Sequence, residues 1–184
     1  MPLLPSDPVK RGRVKFLLLG LFFSLPVAAG WIAWWLELAP GTTSNYGTLL
    51  PPQPVPAGSL AAVKGKWVLV QFDAAACDTY CERKLYFMRQ VRRATGKEIQ
   101  RVERVWVVTD GKSPAPALLA AIEGTVLVQA DDRLLAAFPA DGSPAAHIYL
   151  VDPIGNLMLR FPRDPDPSRM IKDLQRLLRV SRFG

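Results

Sequence analysis

The segment WVLVQFDAAACDTYC, residues 67 to 81, decides how the rest of the chain is read. Trp67–Phe72 is a short apolar run suited to a buried strand. From Cys77 to about Thr95 the pattern turns helical, with Leu85, Met88 and Val91 at three-residue spacing and Gly96 as a C-terminal stop. Cys77 and Cys81 therefore fall where a strand hands over to a helix. A helix N-terminus carries partial positive charge and free N–H groups, which favour a thiolate. Four-residue spacing puts both sulfurs on one helical face, close enough to chelate a soft metal or to close a disulfide. A redox pair, a metal site and a structural disulfide all remain open from spacing alone. The loop of such a disulfide is very short, so stability by itself is a poor reason for placing it there.

Outward from this junction, strand and helix patterns alternate. Val102–Val108 (VERVWVV) reads as a second strand, Ala115–Ile122 as a short helix and Thr125–Gln129 as a brief strand. Asp131–Phe138 opens with acidic residues suited to a helix N-terminus. His147–Val151 and Leu157–Phe161 flank Asp152-Pro153-Ile154-Gly155-Asn156, a hairpin turn. A last amphipathic helix follows Asp166-Pro167-Ser168, with Ile171, Leu174, Leu177 and Leu178 on one face. The order βαβαβαββα predicts an α/β sheet with parallel strands and a terminal hairpin, spanning residues 59–184. Trp67, Trp106 and Met88 read as core. Residues 39–58, rich in Pro, Gly, Thr and Ser, read as an extended tether of polyproline character.

Ahead of the tether, residues 16–38 form a membrane-spanning segment, preceded by a tail of residues 1–15. Phe16 to Leu36 is free of charge, and at about 1.5 Å per residue it spans roughly the 30 Å of a bilayer's hydrocarbon core. Pro26 kinks such a helix without ending it, because lipid offers the backbone no other partner. Trp31, Trp34 and Trp35 cluster where amphipathic rings favour the interface. A cleaved signal would end near Ala28-Ala29-Gly30, but the apolar run continues beyond it. Lys10, Arg11, Arg13 and Lys15 precede the span, which predicts a cytoplasmic N-terminus and a periplasmic domain in a bacterial inner membrane.

The 184 residues carry a formal net charge of +7, of which +3 lies in the tail, leaving a mild and dispersed excess elsewhere. A nucleic-acid partner is disfavoured on patterning and compartment together. Two Cys and one His exclude a zinc site of four cysteines, or of two cysteines and two histidines, and any histidine-dependent nucleophile not served by His147. Gly65-Lys66 precedes a strand, the wrong context for a phosphate loop.

Phe72 followed by Cys77-x-x-x-Cys81, the strand Val102–Thr109 and Ile148-Tyr149-Leu150-Val151-Asp152-Pro153-x-Gly155 together resemble the SCO family in order and spacing. These are membrane-anchored, thioredoxin-fold proteins that assist copper insertion into cytochrome c oxidase. The leader, anchor and Asn45-Tyr46-Gly47 are similar to small membrane proteins of proteobacterial oxidase operons, although a simple turn explains that tripeptide equally well. The resemblance implies a thioredoxin-like α/β domain with a mixed central sheet behind one transmembrane helix. It implies copper as the ligand, and cytochrome c oxidase subunits or other assembly factors as partners.

Two departures qualify it. Asp78 and Glu82 follow the cysteines where the family usually has Pro, and Pro144 stands where the family has its copper-ligating His. His147, three residues on, is the sole imidazole able to complete a Cys77, Cys81, His147 copper set. A partly buried, hydrogen-bonded strand histidine is the plainer account of it. Pro144 can also be read as the groove-forming cis-proline of thioredoxin-like proteins, or as an ordinary loop proline. In the former case Cys77 attacks and Cys81 resolves a mixed disulfide. Three functions compete: an oxidase assembly factor that handles copper or reduces copper-site thiols, a periplasmic thiol–disulfide oxidoreductase, and a non-catalytic scaffold.

Overall fold

A computed structural model describes residues 8–36 and 45–181, which fall into two units divided between Ser44 and Asn45. The first holds one helix, α1 (Pro8–Trp35), with Pro26 inside it. Its stretch Val9–Trp35 has a mean hydropathy of 2.1 over its most apolar window, long and apolar enough to cross a membrane, and its side chains are exposed.

The second unit is a six-stranded mixed sheet in the order β1-β6-β5-β2-β3-β4. The strands are β1 (Thr48–Pro54), β2 (Trp67–Asp73), β3 (Val102–Val108), β4 (Val126–Gln129), β5 (Ile148–Val151) and β6 (Asn156–Arg160). Helices α2 (Thr79–Ala94), α3 (Pro116–Ala121), α4 (Asp132–Ala136) and α5 (Pro167–Val180) complete it. β2, β3 and β4 run parallel, while β5 is antiparallel to β2 and β6 antiparallel to β5. This is the expected α/β arrangement with a terminal hairpin.

β2 lies between β5 and β3, which is why its sequence is a continuous apolar run and not an alternation: both faces are covered. Trp67 and Leu69 pack with Met88 and Val91 of α2 and with Met170 and Leu174 of α5. Val68, Val70 and Phe72 face the other way, toward Leu134 of α4, Phe138 and Tyr149. Phe72, Phe138 and Tyr149 meet edge to face with ring centroids 4.8 to 5.9 Å apart, a geometry the ring quadrupoles favour.

The tether reading of residues 39–58 needs correction. Residues 39–44 lie outside the described residues, and the domain begins at Asn45. Thr48–Pro54 is a strand paired antiparallel to β6, with its register broken between Leu49 and Gln53 around Pro51 and Pro52. β1 is the sheet's edge, where a residue without an N–H leaves no neighbouring strand unpaired, so prolines are tolerated.

Asn45-Tyr46-Gly47 is more than a turn. The backbone N–H groups of Tyr46 and Gly47 both donate to Asp173 Oδ2 on α5, at 2.8 and 2.9 Å. The Tyr46 hydroxyl accepts from Asp166 N, and the Arg169 guanidinium lies 4.1 Å from the Tyr46 ring centroid. A Cβ on Gly47 would stand 2.0 Å from Leu159 Cδ2, so the buried Leu159 side chain would have to shift to admit any larger residue. The tripeptide latches the domain's first strand to its last helix.

Candidate functional site: a cysteine pair at a strand–helix junction

Five residues separate the end of β2 from the start of α2, and the turn within them is tight: Cys77 N donates to Ala74 O at 3.0 Å. Cys77 has φ of +38°, alone among the described non-glycine residues in the left-handed region, a conformation costing roughly 1–2 kcal/mol. Asp78 then caps α2, its carboxylate accepting from Cys81 N at 2.8 Å. The residue that replaces the family's Pro thus starts the helix by a side-chain bond.

Cys77 and Cys81 are joined in a disulfide with Cα atoms 5.2 Å apart. They are not equivalent. Both belong to one buried cluster with Ala75, Leu85, Trp106, Val108 and Ile122, in which Cys77 is 7% exposed and Cys81 fully enclosed. Cys77 is the less enclosed of the two.

Two polar side chains that the sequence reading passed over stand beneath this turn. Gln71, fully buried in β2, places Nε2 at 3.6 Å from Cys81 Sγ, and its Oε1 has no hydrogen-bond partner. Lys84, only 1% exposed on α2, donates from Nζ to Asp73 Oδ2 at 3.0 Å, to Phe72 O at 3.3 Å and to Ala145 O. Burial holds the Lys84 ammonium below the usual lysine range, with Asp73 pulling in the opposite sense. The signal for Gln71 was a polar residue within an apolar run. For Lys84 it was a cation one turn after Cys81, on the buried face shared by Cys81, Leu85 and Met88.

The loop before β5 faces the same helix end. The Tyr80 hydroxyl donates to Ala146 O at 2.9 Å and also contacts Arg163 O. Burial, then the Asp164 charge, raises the Tyr80 phenol above its ordinary value. Pro144 opens a 3₁₀ turn, Pro144–Ala146, capped by the Ser143 hydroxyl accepting from Ala145 N. No cis peptide occurs among the described residues, so the cis-proline reading of Ser143-Pro144 is corrected. A trans proline with its fixed φ suits the first position of this turn. The loop reaches the cysteine helix through its carbonyl groups.

His147 ends that turn and is 8% exposed. Its Nδ1 lies 2.8 Å from Phe161 O, and because a carbonyl only accepts, Nδ1 carries the proton. The ring stands edge-on to Tyr149, 6.0 Å away. Among the described residues no three His, Cys, Asp or Glu side chains converge as a metal site. The Cys77, Cys81, His147 copper set is therefore not assembled. His147 is a buried, hydrogen-bonded histidine that ties the residue before β5 to the residue after β6.

An open trough of about 830 Å³ begins at Ala75 and Ala76, just before Cys77, and continues past Leu85, Leu118 and Ile122. The site is thus one disulfide whose two cysteines differ slightly in exposure, with a buried amide below and a trough beside it that is lined by apolar side chains and by Glu82, Arg89, Arg104 and Lys112.

A family model described as transmembrane-like, thioredoxin-like, C-terminal domain matches residues 67–181. The chain belongs to this family. Its fold is shared with apo Sco1 from Thermus thermophilus, at 21% identity and a TM-score of 0.55, covering 75% of this chain and 99% of that one. Copper-bound yeast Sco1 is similar at 14% identity and a TM-score of 0.58, covering 77% and 96%. A thiol:disulfide interchange protein from Chlorobium tepidum TLS is similar at 20% identity and a TM-score of 0.51, covering 71% and 97%. At these identities the likeness establishes the fold. No protein of curated function matches the chain. In this transmembrane-like, thioredoxin-like family member, the strand–turn–helix that carries the cysteines is the start of the matched region.

Proposed function

We propose that the protein is a membrane-anchored dithiol–disulfide exchanger on the periplasmic face of a bacterial inner membrane, serving the assembly of cytochrome c oxidase by reducing its copper-site cysteines. The observation that carries this reading is the Cys77–Cys81 disulfide at the strand–helix junction, with Cys77 at its slightly exposed edge and Cys81 fully enclosed. In the dithiol form, the Cys77 thiolate attacks a disulfide sulfur of the partner and one partner thiolate leaves. The Cys81 thiolate then attacks Cys77 in the mixed disulfide, releasing the second partner thiolate and closing Cys77–Cys81. The partner gains two electrons, this chain loses two, and an upstream dithiol of the same compartment must restore it. The trough beside Ala75 and Ala76, mostly apolar but edged by Glu82, Arg89, Arg104 and Lys112, offers a bed for the partner's chain. The oxidase partner and the orientation rest on the SCO resemblance and on the basic residues before α1.

The likeness to copper-bound yeast Sco1 favours a second reading, in which the two thiolates carry Cu(I) as cargo without His147. The two are separated by one pair of experiments. Cys81→Ser leaves Cys77 free to hold a partner covalently, so a mixed disulfide with an oxidase subunit supports exchange, and its absence removes that reading. Equal, negligible Cu(I) uptake by wild type and by Cys77→Ser/Cys81→Ser removes the cargo reading.

A further inference from the structure

Along the C-terminal half of α2 four guanidinium groups converge, two of which, Arg89 and Arg104, also line the trough that begins at Ala75 and Ala76. Arg89, Arg92 and Arg93 come from α2 and Arg104 from β3, and they line a cavity of about 360 Å³ together with Ile99, Ala121 and Glu123. Carboxylates do not balance them. Glu103 is the acid in ion-pair contact with the cluster, and Arg92 shares it with Lys66, at 3.4 and 3.0 Å. Arg89 donates to Ala121 O at 3.1 Å and Arg92 to Val102 O, both backbone carbonyls. Arg93 is exposed and has no ion pair among the described residues. Glu123 lines the cavity but forms no ion pair there among the described residues.

Arg104 is the residue without a structural explanation. It is 4% exposed, its Nη2 donates to Glu123 O at 2.7 Å, and its Nε has no partner. Burial, then repulsion from Arg92 and Arg89, holds its guanidinium below the usual range, with Glu103 acting in the other direction. The C-terminal dipole of α2 accounts for Arg92 and Arg93 in its last turn. It does not account for a buried arginine brought in from the sheet. A buried charge facing like charges is costly unless a counter-charge joins it.

We infer that this cavity is an anion site that takes a phosphate group, with Arg89, Arg93 and Arg104 as its ligands. Planar guanidinium forks match the oxygens of a phosphate in pairs, and three of them around one cavity supply more donors than a carboxylate can accept. The phosphate comes either from a soluble phosphorylated compound or from an anionic phospholipid headgroup of the membrane that α1 enters.

The test uses the full chain in nanodiscs of phosphatidylcholine, titrated with inorganic phosphate at constant ionic strength and followed by ³¹P line broadening. Saturable binding is expected, weakened about tenfold or more by Arg93→Gln, the equivalent of losing one charged hydrogen bond. Arg104→Met is expected to abolish it, and since that variant alters the interior, the exposed Arg93→Gln keeps the test independent of folding. Repeating the titration with phosphatidylglycerol added separates the sources: competition identifies the headgroup, and undiminished affinity identifies the soluble compound. No saturable binding in wild type, or equal binding in wild type and Arg93→Gln, overturns the inference.

Discussion

The side-chain amide of Gln71 places Nε2 at 3.6 Å from Cys81 Sγ while its Oε1 remains unpaired inside the sheet. A thiolate accepts a hydrogen bond more strongly than a disulfide sulfur does, so this contact favours the reduced state. Gln71→Leu is expected to shift the reduction potential to more negative values by about 15–30 mV, where 30 mV corresponds to about 1.4 kcal/mol. Titration of both proteins against a dithiol buffer checks it. An unchanged potential would reduce Gln71 to packing.

Lys84 joins α2 to Asp73 and to the carbonyl groups of Phe72 and Ala145. Lys84→Met leaves those acceptors without their donor, and the expected loss is about 2 kcal/mol of stability. Denaturation midpoints of the two proteins measure this. Because Ala145 loses its tie to α2, the 144–146 loop should also exchange its amide hydrogens faster.

On α5, Asp173 holds the N–H groups of Tyr46 and Gly47. Asp173→Ala should cost about 2–3 kcal/mol, since two donors lose a charged acceptor. Gly47→Ala, which drives a Cβ into Leu159, should cost about 1–3 kcal/mol. Limited proteolysis then cuts within β1 before the rest of the domain, because the latch is what secures the edge strand.

Tyr149 is enclosed in the aromatic cluster, and burial raises its phenol to about 12 from an ordinary 10.0, with Arg160 opposing and Asp141 reinforcing. The folded state holds the proton more tightly than the unfolded chain does. Its contribution is therefore complete below pH 10 and lost as pH rises from 10 to about 12. The loss amounts to about 2–3 kcal/mol at most. Tyr149→Phe should flatten the stability profile over that interval, as followed by thermal denaturation of both proteins at each pH.

Much of this architecture is legible in the chain itself, for reasons particular to each element. Strand β3 is found at its expected limits because seven residues of mostly β-branched character have no competing period. The cysteine junction is legible because an apolar run stops, small residues follow and a helical period begins. β1 is not, since Pro51, Pro52 and Pro54 read as extended linker, and only the edge position in the assembled sheet makes them acceptable. His147 was the natural third ligand on composition, yet a carbonyl from β6's end, remote in sequence, takes its Nδ1. Gln71, Lys84 and Arg104 are not legible in the sequence, because a polar residue in a buried position reveals its purpose only through its neighbours.

The central claim is that Cys77 and Cys81 form a reversible redox pair and not a permanent staple. The measurement closest to it is the reduction potential of the full chain in neutral micelles, titrated against a dithiol couple with alkylation to count free thiols. A two-electron transition above about −300 mV is predicted, in the range of exchanging pairs. A potential far below that value, or cysteines that stay bonded until the domain unfolds, would contradict it.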